Sequence, residues 1–361
     1  MSQEETKAEK PAEEKKPEVK PAEPKPEEKK PADATQTHEL SKWKHTRPLT
    51  ACRFDPTGKY VFTGAEDNTV QCWDLADGKM TSLAAHDSWV RAIGFSHDGQ
   101  QVITGGYDGR LIWWPTAAEK PEPIRKIEPA HDGWLRALAV SPNGQQIATC
   151  GNDKLIKLWD ANDGKPLFQL AGHETHVYNV AFHPTQPLLV SCDLKGVVKQ
   201  WDLNEKKFVK DFAGATALYK YDTTFRADIG GARSIAFSTD GKLLALGGIT
   251  NVTNAFAGIG NPAVVAFDWE TGQITKTHVA KQAVNGTAWG VRHHPDGYWI
   301  GLSGGGGGGF LYFWKHDSVN EFFQLKLPDN GRDLDLHPDQ RRLAVAHFDQ
   351  HIRLMGMFKK A

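Results

Sequence analysis

From residue 38 to the end of the chain, apolar and polar positions alternate in short runs, as in VRAIGF at 90–95 and QVITGG at 101–106. A period of two marks strands with one buried face. Turn sequences cut the runs: DPTG at 55–58, SHDG at 96–99 and SPNG at 141–144. Further turns, ADG at 76–78 and NDG at 162–164, follow later in their segments. Pro, Asn or Asp followed by Gly suits the backbone that such turns need. The pattern predicts an all-β chain of many short strands.

The strands are organised by a repeat. His45, His86, His131 and His173 are followed 28 residues later by Trp73, Trp114, Trp159 and Trp201. At 22 residues stand Asp67, Asp108, Asp153 and, off the pattern, Lys195. At 18 residues stand Thr63, Thr104, Thr149 and Ser191. The histidines lie 41, 45 and 42 residues apart, the length of a four-stranded propeller blade.

With WD at 73–74, 159–160 and 201–202 and GH at 172–173, these segments resemble the WD-repeat (G-protein beta-like repeat) family. The resemblance implies a hydrogen-bonded network of His, Ser/Thr, Trp and turn Asp inside each blade. The chemistry is coherent, since Asp accepts, imidazole passes a bond on, hydroxyl does both and indole only donates. These residues are expected to be structural rather than metal-binding. Blade four, with Lys195 in the Asp position, is expected to lack the network and to open more readily.

Three worn copies follow. FSTDG at 237–241 leads to LLALGG and, after an insertion, VVAFDW at 264–269. HHPDG at 293–297 leads to WIGLSG and FLYFW, and LHPDQ at 336–340 leads to RRLAVAHFD and HIRLMGM. In the last copy Asp349 stands six residues before Met355, which occupies the Trp position. Four regular and three worn copies make seven four-stranded antiparallel blades. The last copy stops after its third strand, while ELSKWK at 39–44 is a fourth strand with no blade of its own. It is expected to complete blade seven, which closes the ring and removes an exposed edge. The propeller is placed at 38–361.

Residues 1–37 read differently, with ten acidic residues, eight Lys, six Pro and no aromatic. Such a stretch cannot bury enough apolar area to offset the entropy of ordering it. It is expected to be a disordered tail, acting as a solubiliser, a spacer or a docking arm. The opening MSQEETKAEK has no apolar core of a secretory signal, and no run is long enough to span a membrane. Cys52, Cys72, Cys150 and Cys192 form no C-x-x-C pair and are expected to be reduced, packed and cytoplasmic. Lys plus Arg number 43 against 44 Asp plus Glu, a balance that disfavours nucleic acid as partner.

Candidate chemistry is sparse. No P-loop, H-E-x-x-H or G-x-S-x-G is present, and neither cofactor nor metal is expected. Gly304 to Gly309 lie between two strands rather than before a helix, so they read as a floppy hairpin loop. His293, His294 and His337 adjoin turns. The insertion at 249–263, with Phe256, reads as a functional loop or a tolerated surface insertion.

The resemblance also places residues just after each His on the top face near the channel. The third position holds Pro48, Trp89, Trp134 and His176, and the fifth Thr50, Arg91, Arg136 and Tyr178. Aligning the worn copies on their turns adds Arg233, Trp289 and Arg332. Before the turn Asp stand Glu66, Tyr107, Asn152 and Phe348. Trp, Tyr and Arg dominate interface hot spots. Two readings stand. These side chains form a platform for an acidic or phosphorylated segment of a protein or peptide partner, or they pack between blades and pair with nearby acids. The expected function is a non-catalytic scaffold, a single propeller within a larger complex. The alternative is an enzyme or small-ligand binder using the central channel.

Overall fold

The computed structural model describes residues 31–254 and 259–360, so most of the expected tail, and Phe256, lie outside the described residues. Seven four-stranded antiparallel sheets form a β-propeller. Blade one spans 49–83, two 90–127, three 135–170, four 177–211, five 234–279 and six 287–326. Blade seven combines 331–357 with the strand Thr37–Lys44. The first strand of every blade lines a central cavity.

Burial follows from strand position. Second strands such as Gln101–Gly106 and Gln146–Gly151 are buried at every residue but the first, since neighbouring blades cover both faces. Seven apolar clusters sit one between each adjacent pair of blades. The cluster between blades seven and one, with Phe54, Trp73, Ile352 and Leu354, makes the closing seam apolar like the others.

The His, Thr, Trp and turn-Asp side chains join in one hydrogen-bonded network in blades two and three. In blade three, the Trp159 indole donates to Thr149 Oγ1 at 2.8 Å. Thr149 Oγ1 meets His131 Nε2 at 2.7 Å, and His131 Nδ1 meets Asp153 Oδ1 at 2.9 Å. Burial alone would raise the Asp153 carboxyl, but bonds from His131 and Lys157 hold it at about 2. Blade two repeats this with Trp114, Thr104, His86 and Asp108. Blade four overturns the expectation from Lys195. Asp193, two residues earlier, reaches His173 Nδ1 at 3.1 Å, and His173 and Trp201 both bond Ser191. That network is complete, so the reason for early opening of this blade is gone.

Blade one departs the other way. His45 turns Nε2 to Asp67 at 2.7 Å and leaves Thr63. Gln71 fills the gap, accepting from Thr63 Oγ1 at 2.8 Å and donating to Thr69, which bonds Asp67. Trp73 still donates to Thr63 at 3.0 Å.

The ring closes where expected. Thr37–Lys44 pairs antiparallel with His351–Met357. The attachment begins before residue 38: Asp33 N donates to Met357 O at 2.8 Å, and Ala34 lies in the blade-seven core. Arg353, its side chain 4% exposed, joins Asp349 and Glu39 across the seam. Turn histidines add bridges between blades. His183 Nε2 meets Gly241 O, His294 meets Gln340 O, and His337 meets Gly58 O, at 3.0, 2.7 and 2.9 Å. The four cysteines are free and buried.

Buried imidazoles make the fold acid-sensitive. His278, 0% exposed, bonds Ser318 O through Nδ1 at 2.7 Å. Burial, partly offset by that bond, pulls its pKa down to about 4. The folded state therefore binds fewer protons than the unfolded one between about pH 6.5 and 4. Stability falls as pH drops through that window, by about 3 kcal/mol for this residue. His347, also buried, acts in the same direction. Urea midpoints measured from pH 7 to 4 should fall less steeply in His278→Asn, which keeps an amide donor for Ser318. Equal slopes would refute this.

Three irregular segments differ from expectation. The described residues of the insertion at 249–263 are strand, extending blade five to Leu243–Asn254 and Ile259–Asp268. A separate hairpin, Tyr219–Asp222 with Ala227–Gly230, follows blade four and left no signal in the repeat spacing. The glycine run is tied down rather than floppy. Gly307 N donates to Asn285 O and Gly305 N to Asn330 Oδ1. A Cβ at Gly309 would strike the Asp329 carbonyl, and one at Gly304 the Gly331 carbonyl.

Candidate functional site at the channel mouth

The site is built by a recurring bulge. In six blades the register between first and second strands slips by one residue: at Leu49/Ala51, Val90/Ala92, Leu135/Ala137, Val177/Asn179, Ala288/Gly290 and Gly331/Asp333. The skipped residues are Thr50, Arg91, Arg136, Tyr178, Trp289 and Arg332. A bulge leaves its extra residue out of the ladder and re-aims the side chain. Arg233 reaches the same rim just before its strand, its N–H bonded to Gly247 O at 2.7 Å. The fifth-position series is thus one geometric feature. The bulge itself left no mark in the sequence beyond large side chains in an alternating strand.

A second backbone bond gathers the other two series. Tyr107 N donates to Trp89 O, Asn152 N to Trp134 O, Glu66 N to Pro48 O and Leu194 N to His176 O, at 2.9 to 3.0 Å. These bonds bring Trp89, Tyr107 and Trp134 into one stack. Tyr107 lies on Trp134 at 4.3 Å and 3°, with Trp89 6.4 Å from Tyr107. Trp89 stays 41% and Trp134 43% exposed, and so does Phe348 at 43%.

Cations and rings then alternate around the mouth. Arg136 lies 4.1 Å from the Tyr178 ring and 5.0 Å from Trp134, and its Nε donates to Asn152 at 2.7 Å. Arg233 lies over Tyr178 and Trp289 at 5.0 and 5.5 Å. Arg332 lies over Trp289 and Phe348 at 5.4 and 4.8 Å. Arg91, from the opposite side, lies 5.7 Å from Trp289. Trp289 therefore sits inward, partly buried, with its indole donating to Gly304 O at 3.2 Å. Cation–π contacts contribute about 0.5–2 kcal/mol each, depending on desolvation.

Below lies a cavity of about 490 Å³, lined by Arg53, Arg91, Arg136, Arg233, Arg292 and Arg332 against Glu66 and Asp333. Arg53 pairs with Asp333 and Arg292 with Asp335. The other four arginines make no ion pair among the described residues. Burial, then the like charges of Arg91 and Arg136, pull Arg233 below the usual guanidinium range. Burial and Arg91 act likewise on Arg332. Burial, then the charges of Arg136 and Lys154, lower the His176 pKa. Among the described residues no three His, Cys, Asp or Glu side chains gather as metal ligands. No helix of the described residues is long and apolar enough to cross a membrane.

Comparison with known proteins bears on the first four blades. Residues 36–74, 78–115, 121–160 and 164–202 match the family described as WD domain, G-beta repeat. The chain is 29% identical over 83 residues to nuclear distribution protein PAC1 of Arthroderma otae, covering 22% of this chain and 18% of that protein. It is 40% identical over 152 residues to polyadenylation factor subunit 2 of Gibberella zeae, covering 42% of this chain and 24% of that one. It is 32% identical over 80 residues to guanine nucleotide-binding protein subunit beta of Dictyostelium discoideum, covering 21% and 23%. The matches thus span less than a quarter of each relative's length. Repeat spacing, blade network and seven-sheet ring agree with these matches, and residues 36–202 carry four repeats of the WD domain, G-beta repeat type.

Proposed function

We propose that this chain is a non-catalytic scaffold, acting in the cytoplasm, that docks an acidic segment of a partner protein on its top face. The observation that carries this reading is the exposed Trp89–Tyr107–Trp134 stack beside arginines without acidic partners. Rigid aromatic anchors next to guanidinium forks are what interface hot spots use. Two of the relatives are named as subunits, which fits a propeller working inside a complex. Within the cavity Asp333 is already held by Arg53, which favours binding over acid–base chemistry.

The test is affinity purification from the native organism with wild type, Trp89→Ala/Trp134→Ala and Arg91→Glu/Arg136→Glu. Both variants should melt within a few degrees of wild type and lose the same partner. An unchanged set of partners in either folded variant would refute the platform.

A further inference from the structure

Three guanidinium groups converge on one indole. Arg91, Arg233 and Arg332 come from blades two, five and seven, and each lies 5.4 to 5.7 Å from the ring of Trp289. None has a carboxylate partner among the described residues. Arg233 Nε is buried and makes no hydrogen bond at all. A buried donor left unpaired costs about 1–3 kcal/mol. Unpaired like charges beside a cavity cost more as the local dielectric falls. The two neighbouring arginines show the contrast, since Arg53 and Arg292 are each neutralised by an aspartate.

We infer that Arg91, Arg233 and Arg332 form a built site for a phosphate-class oxyanion at the mouth of the central cavity. The number of forks decides the class. A carboxylate is planar and offers two oxygens, which one guanidinium saturates. A phosphoryl group offers three oxygens and about two charges, matching three converging forks. The cavity, about 490 Å³, is within the range of small-ligand sites and larger than one phosphate needs. The anion can arrive free or on a peptide. This inference rests on the binding-platform reading only in using the same face, because it requires no partner protein.

The experiment is isothermal titration of the full chain at low ionic strength. The probes are pyrophosphate, an acidic peptide carrying phosphoserine, and the same peptide unphosphorylated. Binding of one equivalent of pyrophosphate or of the phosphopeptide is expected, at least tenfold weaker in Arg233→Gln and in Arg332→Gln. Binding of pyrophosphate alone would identify a free ligand, and of the phosphopeptide alone a segment-borne one; either supports the site. A second readout separates charge from structure. Without anion, Arg233→Gln should melt within a few degrees of wild type, since removing an unpaired buried cation offsets the loss of its contacts with Tyr178 and Trp289. With pyrophosphate, only the wild type should gain melting temperature. Arg91→Gln serves as the further variant should Arg233→Gln not fold. The inference is overturned if neither phosphorylated probe binds, if the unphosphorylated peptide binds equally well, or if the variants bind like wild type. Survival of phosphate binding when Trp89→Ala/Trp134→Ala keeps all its partners would leave this site standing and sink only the docking platform.

Discussion

A chain starting at residue 46 is expected to melt roughly 10 °C or more below the full-length protein, whereas one starting at residue 31 should melt with it. The first truncation removes the outer strand of blade seven, Thr37–Lys44, and its ladder to His351–Met357. It also removes Trp43, which stacks on Trp73 of blade one at 6.4 Å and 17°. Arg353 loses Glu39, one of its two carboxylates. Packing of one large aromatic contributes about 2 kcal/mol, and a charge-assisted hydrogen bond about 1.5–3. Together these put the loss near 5 kcal/mol, and a kilocalorie moves a domain of this scale by about 2–4 °C. The shorter truncation leaves all of these contacts, including Asp33 with Met357. Thermal unfolding followed by circular dichroism decides it. Coincident transitions for the two truncations would show that the ring does not depend on its closing strand.

The second large effect is expected from Thr149→Val, at about 4 kcal/mol of destabilisation. Valine keeps the shape, so no cavity opens. It removes the one hydroxyl that accepts from Trp159 and meets His131. Two buried polar groups are then orphaned, at about 1–3 kcal/mol each. Blade one supplies the internal comparison. Thr63→Val breaks the Trp73 bond and the Gln71 bond, but His45 keeps Asp67 and should lose nothing. Trp73 and the buried Gln71 each lose a partner, two groups as in blade three, so its cost should match that of Thr149→Val within about 1 kcal/mol. Urea denaturation of both variants checks this, and a much smaller loss for Thr63→Val would mean that Gln71 does not replace the imidazole in the network.

The regular half of this fold was legible because chemistry fixes spacing. A hydroxyl must stand ten residues before the indole that it accepts from, and the strand lengths leave no freedom. The failures are equally physical. Lys195 misled because a turn offers two places from which a carboxylate reaches the imidazole, and Asp193 uses the other. Gln71 was invisible because a longer side chain on the adjacent strand can stand in for an imidazole. The long hairpin of blade five, the added hairpin after blade four and the packed glycine run carry no periodic marker. At the channel mouth, the sequence showed large side chains at one repeat position. It did not show that a bulge aims them, nor that Trp289 turns inward while Trp89 and Trp134 stay exposed.

Closure has a consequence for how such a chain changes over time. In an open stack of repeats an end unit is held from one flank only, so it must keep its own internal bonds. Here each blade is clamped on both flanks by an apolar cluster, the last blade included. A substitution that cuts a blade's private polar network is then opposed by two interfaces instead of one. Drift can erode the marker residues of blades five, six and seven while the ring stands. The ring thus carries mutational slack, and the worn half of the chain is the part free to acquire features such as the inward Trp289 with Arg233 and Arg332.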